Sequence, residues 1–370
     1  MKKFFCLSCL ALFFNSYSQT AEELISSGNS KEKLKDYNGA VADFTKVIEI
    51  DPQNKSAYRL RGYSKISLDD YRGAIADCTK ALEIDPQYDS AYNVRGIAKF
   101  YSKDYSGAIA DYTKAIEIDP QYYNAYNNRG NSKQELKDYN GAIADFTKAI
   151  EIDPRNTMAY LNRGDAKHSL KDDQGAIADY DKCIELEPND PAGYSYRGFT
   201  KWYIGDFKGA IADYSKCIEL DPKHPMAYNG RGLCKHNLGD YRGAIADYTL
   251  EIKIVPNHEF AYSNRANSKF ELKDYKGAIA DYSQIIKTAP TDAEAYNWRG
   301  ICKHYLKDYS GAIADYNHVI KIDPTHAQAY FNRALSKIDS GQKESGCLDL
   351  SKAGELGFNA AYNTIKQKCN

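Results

Sequence analysis

In the stretch GAIADYTKAIEIDP, residues 107–120, the apolar positions Ala108, Ile109, Tyr112, Ala115 and Ile116 recur at i, i+1, i+4, i+7 and i+8. That spacing places them along one side of a helix. Asp104, just ahead, supplies a cap, and Pro120 stops the helix because proline lacks an N–H and holds the preceding residue away from helical geometry. Upstream, Ala91, Tyr92, Gly96 and Ala98 mark a second helical stretch, joined to the first by the turn Ser102-Lys103-Asp104-Tyr105. The pattern predicts a helix hairpin.

The hairpin recurs. Prolines stand at 52, 86, 120, 154, 188, 222, 256, 290 and 324, always 34 residues apart. This ruler lays out ten repeats, 21–54, 55–88, 89–122, 123–156, 157–190, 191–224, 225–258, 259–292, 293–326 and 327–360, within a domain spanning 19–360. Two short helices cannot enclose their own apolar face, so neighbouring hairpins are expected to stack into an all-α solenoid with a shared core. Gly96, Ala98, Ala108 and Ala115 are small where helices approach, while Tyr92, Tyr105 and Tyr112 fill the space between them. The last repeat departs from the rest: Ser345-Gly346-Cys347-Leu348 replaces the Gly-Ala-Ile-Ala words, and Phe358 stands where proline is due. Such a repeat suits a terminus, with a closing helix over Ala360 to Lys368 in the tail 361–370.

Tyr92-x2-Arg95-Gly96-x2-Lys99, followed by Ala108-x3-Tyr112-x2-Ala115 and Pro120, resembles the tetratricopeptide repeat, and the likeness runs from residue 21 to residue 360. The resemblance implies a right-handed superhelical solenoid of stacked antiparallel helix pairs. It also implies a concave groove lined by the first helix of each pair, and a role in gripping other proteins. Two columns depart from the family pattern: arginine stands where leucine is usual, and lysine where an aromatic is common.

The arginine column includes Arg61, Arg95, Arg129 and Arg163, with a lysine four residues after each on the same helix face. An aspartate recurs in every second helix, among them Asp77, Asp111, Asp145 and Asp179. We read Arg61–Asp77, Arg95–Asp111, Arg129–Asp145 and Arg163–Asp179 as ion pairs between the helices of a hairpin, because a partly buried arginine requires a carboxylate. The competing use of these cations is to hold an anionic envelope polymer. Lysines and arginines number 49 against 50 acids, a balance that calls for no nucleic acid.

Chemistry is hard to place on such a chain. An active site is singular, and these polar residues are repeated; no H-E-x-x-H, G-x-S-x-G or glycine-rich phosphate loop occurs. His168, His236 and His304 share one column but stand two repeats apart, on the order of 20 Å at ordinary helix-packing distances, too far to ligate one metal. The expectation is a protein that is not an enzyme and needs no cofactor.

Recognition is therefore assigned to columns that change from repeat to repeat. One runs Glu32, Ile66, Phe100, Gln134, His168, Trp202, His236, Phe270, His304 and Ile338. Another contains Tyr63, Ile97, Asn131, Asp165, Phe199 and Leu233. By the resemblance both face the groove. Adding the neighbouring Tyr101, Tyr203 and Tyr305, they give an apolar patch around Tyr63, Ile66, Phe100 and Tyr101, a polar middle at Asn131, Asp165 and His168, and a second patch at Phe199, Trp202, Tyr203 and Leu233. Phe270, His304 and Tyr305 continue it. Aromatics beside polar groups are the composition of a protein interface, and Trp202 is the first choice of anchor. The family's carboxylate clamp needs lysines that these columns lack, so an extended peptide or partner helix fits better. End-to-end self-association stays open.

At the start, MKKFFCLSCLALFFNSYSQ sets two lysines before an apolar stretch from Phe4 to Phe14 and small residues at Ser16 and Ser18. This predicts a secretory signal peptide over 1–18, with the rest exported to the periplasm or the medium. No later segment approaches the roughly 20 apolar residues of a membrane span. Of the remaining cysteines, Cys78, Cys183, Cys217, Cys234, Cys302, Cys347 and Cys369, most replace small or apolar residues of the pattern, which favours buried thiols over a disulfide framework. A bridge from Cys183 or Cys217 is left open.

Overall fold

The computed structural model describes residues 20–369, so the predicted signal peptide lies outside the described residues. Every regular element among them is a helix. The described residues form two compact bodies, 20–186 and 187–369. The first body carries α1 (Ala21–Lys33), α2 (Tyr37–Ile50), α3 (Lys55–Ile66), α4 (Tyr71–Ile84), α5 (Asp89–Tyr101), α6 (Tyr105–Ile118), α7 (Tyr123–Glu135), α8 (Tyr139–Ile152), α9 (Thr157–Ser169) and α10 (Asp173–Leu186). The second carries α11 (Pro191–Tyr203), α12 (Phe207–Leu220), α13 (Pro225–Asn237), α14 (Tyr241–Ile254), α15 (Glu259–Glu271), α16 (Tyr275–Thr288), α17 (Ala293–Tyr305), α18 (Tyr309–Ile322), α19 (Ala327–Asp339), α20 (Lys343–Glu355) and α21 (Ala360–Lys368). Within each body, helices pair in chain order and each pair packs on the next. The fold is an all-α solenoid.

The turns inside the pairs from α1–α2 to α17–α18 are built the same way, whereas Gln342, ahead of α20, supplies no side-chain cap. Asp104 precedes α6 and its carboxylate accepts the Gly107 N–H at 3.0 Å, satisfying one of the unpaired donors at the helix start. A Cβ on Gly107 would fall 2.1 Å from that carboxylate, so glycine at this place keeps the cap in reach. Lys103, just before the cap, is held at φ 66°, and Gly205, Gly239 and Gly341 take the equivalent left-handed place elsewhere. At the other end, α6 stops at Ile118, two residues ahead of Pro120.

The buried face of α6 is Ala108, Tyr112, Ala115 and Ile116. Gly96 on α5 lies against the Tyr112 ring so closely that a Cβ would stand 2.6 Å from it. Burying so large a ring against bare backbone brings the two helices of a pair together and contributes the apolar transfer energy of an aromatic side chain, about 2 kcal/mol.

At the end of the second body α21 lies over α20. Ala334, Leu350, Ala353 and Ala361 form a buried cluster with Phe331, Phe358 and Ile365 packed around it. Here the expectation of buried thiols needs correction: Cys347 and Cys369 form a disulfide across 22 residues, Cα to Cα 5.9 Å. The reason is tertiary, since only the fold-back of α21 brings the tail beside α20. Cys78, Cys217, Cys234 and Cys302 are buried thiols. Cys183 is buried too, its S–H donating to the Thr157 carbonyl at 3.4 Å.

The turn geometry makes a paired prediction. Asp104→Ala should lower stability by about 1 kcal/mol through the lost cap, whereas Lys103→Gly should raise it by about 0.5 kcal/mol by relieving the left-handed backbone. Urea unfolding of the two variants should move in opposite directions.

Candidate functional site

The charged columns meet in a repeated network. Arg95 grips Asp111 with two parallel bonds, Nε to Oδ2 at 2.9 Å and Nη2 to Oδ1 at 2.7 Å. Arg61–Asp77, Arg129–Asp145 and Arg163–Asp179 do the same, with closest contacts of 2.6 to 2.7 Å. The lysine four residues on joins the same carboxylate: Lys99 reaches Asp111 at 2.7 Å and Lys133 reaches Asp145 at 2.7 Å. Each arginine also lies over the tyrosine three residues before it, Arg95 at 5.4 Å from the Tyr92 ring centre.

The third edge of the guanidinium leaves the pair. Arg95 Nη1 donates to Thr79 Oγ1 on the preceding hairpin at 3.2 Å, and Arg61, Arg129 and Arg163 donate to Thr45, Thr113 and Thr147 at 3.1 Å. In the second body Arg231, Arg265 and Arg299 reach Ser215, Thr249 and Ser283 in the same way. Sequence reasoning missed these hydroxyls, although they recur 16 residues before seven of the nine arginines of the column, Asp181 and Asn317 standing before Arg197 and Arg333. In the first pair Ser27 stands in the arginine column, and Asp43 is held by Ser27 and Lys31 instead.

The variable columns fall into three environments. Tyr63, Tyr101, Phe199, Tyr203 and Tyr305 are exposed on the first helices of their pairs, each with roughly half its surface in water (46 to 56 %). Phe100, Asn131, Asp165, His168, Trp202, Leu233, Phe270 and His304 are only partly buried. Ile66 is buried against Ala74, Cys78, Val94 and Ala98, so its place in the groove patch is corrected: it fills the space between successive pairs.

Several of the partly buried polar residues bridge hairpins. His236 Nδ1 and His304 Nδ1 meet Ser268 Oγ and Ser336 Oγ of the following pair, each at 2.9 Å. Burial lowers the His304 pKa below the usual histidine range, with Asp339 acting the other way. Gln134 donates to Asp165, and His168 meets Asp173 at 2.6 Å. Trp202 packs with Ala210, Tyr214 and Cys217 against the core of its body, and its indole N–H is buried without an acceptor among the described residues. Phe270 touches Tyr275, Trp298 and Tyr305 edge-on.

One polar group breaks the pattern from inside. Glu251 occupies the column held elsewhere by Ala81, Ala115 and Ala149, and it is fully buried. Asn229 Nδ2 donates to it at 2.9 Å, and His258 Nδ1 meets its other oxygen at 2.6 Å. Burial raises its pKa above the ordinary carboxylate range, while the Asn229 and His258 bonds pull it back. Burial likewise pushes the thiols of Cys78, Cys234 and Cys302 up to about 12, which leaves them poor nucleophiles.

This geometry defines a helical repeat protein, whose repeated polar residues bind one another and some of whose variable side chains reach the surface. Models described as "Tetratricopeptide repeat" match residues 24–54, 56–88, 159–190 and 197–224, residues 123–156 and 293–326, residues 214–246 and residues 260–292. One described as "TPR repeat" matches 96–137. The chain belongs to the tetratricopeptide repeat family. No curated protein matches the sequence. Among solved structures, a tetratricopeptide repeat protein from Parabacteroides merdae is 18 % identical, with 68 % of this chain and 99 % of that one covered and a TM-score of 0.50. MamA is 26 % identical over 44 % of this chain and 94 % of its own, TM-score 0.40. YrrB, titled a TPR protein with an unusual peptide-binding site, is 22 % identical over 50 % and 95 %, TM-score 0.41.

Two predictions follow from the buried charges. Asp145→Ala strands Arg129 and Lys133 without their anion and should cost about 3 kcal/mol; adding Arg129→Met should recover part of that loss in a double-mutant cycle. For Glu251, the folded state binds the proton more tightly than the unfolded one, so its contribution is most favourable below the ordinary glutamate pKa and is lost as pH rises through the raised folded value. Wild-type stability, measured against Glu251→Gln by urea unfolding, should therefore increase as pH falls from 8 towards 5.

Proposed function

We propose that the chain is an exported, non-catalytic scaffold that binds a protein or an extended peptide along the first helices of its pairs. The observation that carries this reading is the set of half-exposed aromatics Tyr63, Tyr101, Phe199, Tyr203 and Tyr305, on a fold whose second-helix tyrosines Tyr112, Tyr180, Tyr214, Tyr248, Tyr282 and Tyr316 are buried. Aromatic side chains supply large contact area with little rotamer entropy to lose, and they anchor protein interfaces. Family membership supports an interaction scaffold in general terms. The Cys347–Cys369 disulfide supports export, because such bonds persist in oxidising compartments. No helix among the described residues is long and apolar enough to cross a membrane.

The ladder cations favour this reading over the anionic polymer. Lys65, Lys99, Lys133 and Lys167 each lie within 2.8 Å of an aspartate and are about one-fifth exposed, so they are engaged before any polyanion arrives. The test is capture of a partner from the envelope fraction by the mature chain. Phe199→Ser with Tyr203→Ser should weaken capture about tenfold with helicity unchanged. Binding should persist at high salt; collapse between 50 and 200 mM, roughly the behaviour of counterion release, would favour the polymer.

A further inference from the structure

Along the first helices, asparagines 35 residues apart link successive pairs: Asn128 donates to Asn93 at 3.0 Å, Asn162 to Asn127 at 3.3 Å and Asn332 to Asn297 at 3.2 Å. At α15 and α17 the equivalent positions are Ser263 and Trp298, and no amide link joins them. A cavity of about 370 Å³ opens there, lined by both residues and by Tyr282 and Ile285 of α16. Phe260, 73 % exposed, forms a second aromatic wall.

The rim of this cavity carries one sign of charge. Glu259, Asp292 and Glu294 line it, and no lysine, arginine or histidine does. Asp292 caps α17 by accepting the Ala295 N–H at 3.0 Å, which uses one carboxylate oxygen. Thr288 donates to Glu259 at 3.3 Å. An indole and a phenyl ring in one cavity with three carboxylates are a poor seat for an apolar or acidic side chain. They suit a cation with a flat apolar surface, which gains from the ring quadrupoles and from the carboxylates together.

We propose that this cavity is a specificity pocket for an arginine or lysine side chain of the bound partner. The inference rests on the protein-binding reading and deepens it: the exposed aromatics supply contact area, and the pocket selects a basic residue. Arginine is favoured over lysine, because the guanidinium stacks on an aromatic face and bonds two carboxylate oxygens at once.

The test uses blocked, fluorescein-labelled pentapeptides Gly-Gly-X-Gly-Gly, with X as arginine, lysine, citrulline or glutamate, and the mature chain, read by fluorescence anisotropy. Arginine should bind best and lysine next, with citrulline and glutamate about tenfold or more weaker. Glu259→Gln with Glu294→Gln should remove the preference, and Phe260→Ser, a change at an exposed position, should weaken arginine and lysine binding without altering helicity. Equal binding of all four peptides, absence of binding, or a preference that survives the double glutamine variant would overturn the pocket. Partner capture that fails on Phe199→Ser with Tyr203→Ser but survives Glu259→Gln with Glu294→Gln would sink the pocket alone. Capture indifferent to both would sink the scaffold reading.

Discussion

A guanidinium with three donating nitrogens, placed in every repeat after the first, is the constraint that the packing obeys. Arg95 Nε and Nη2 donate side by side to Asp111 inside the pair, and Nη1 reaches Thr79 on the pair before. Asp111 is 4 % exposed, and a carboxylate so placed is tolerable only while its partners stay in reach. The pairing therefore sets the register of α5 against α6 and of that hairpin against its predecessor in one step. Whether it adds net stability is secondary, because desolvation offsets much of the Coulomb attraction; what it does is penalise every misaligned stacking.

The small residues work with that network. Gly96 lets the Tyr112 ring lie on bare helix, which keeps α5 and α6 close enough for Arg95 to span them. Where the pattern changes, the chemistry changes locally. Ser27 replaces arginine in the first pair and needs Lys31 beside it to hold Asp43. Glu251 replaces an alanine and is held by Asn229 and His258. The repeated polar groups are occupied with one another, which leaves the variable side chains of the first helices outside the Arg–Asp–Lys network.

Those variable side chains were the least legible part of the chain. Ile66 and Tyr63 stand three residues apart on α3, yet one is buried between pairs and the other is half in water. Trp202 reads as an anchor by composition but leans on the core at Tyr214 and Cys217. Phe260, Ser263 and Trp298 lie outside the two columns assigned to recognition, and only the approach of α15 to α17 gathers them around one cavity. His236 and His304 look like surface variants and instead meet serines on the following pair.

The sequence by itself determined what is periodic: helices, because apolar residues at helical spacing recur between aspartate caps and prolines, and a stacked all-α solenoid, because one hairpin cannot bury its own face. These are local or nearest-neighbour properties, and repetition states them over and over. Tertiary structure alone decided what depends on distances between side chains far apart in the chain. The disulfide from Cys347 to Cys369, the step of Arg95 to the preceding threonine, the burial of Glu251 and the cavity beside Trp298 are of this kind. Each forms only when separate helices come within a few ångströms, and a column of letters records the identity of a side chain but not the neighbour that will cover it.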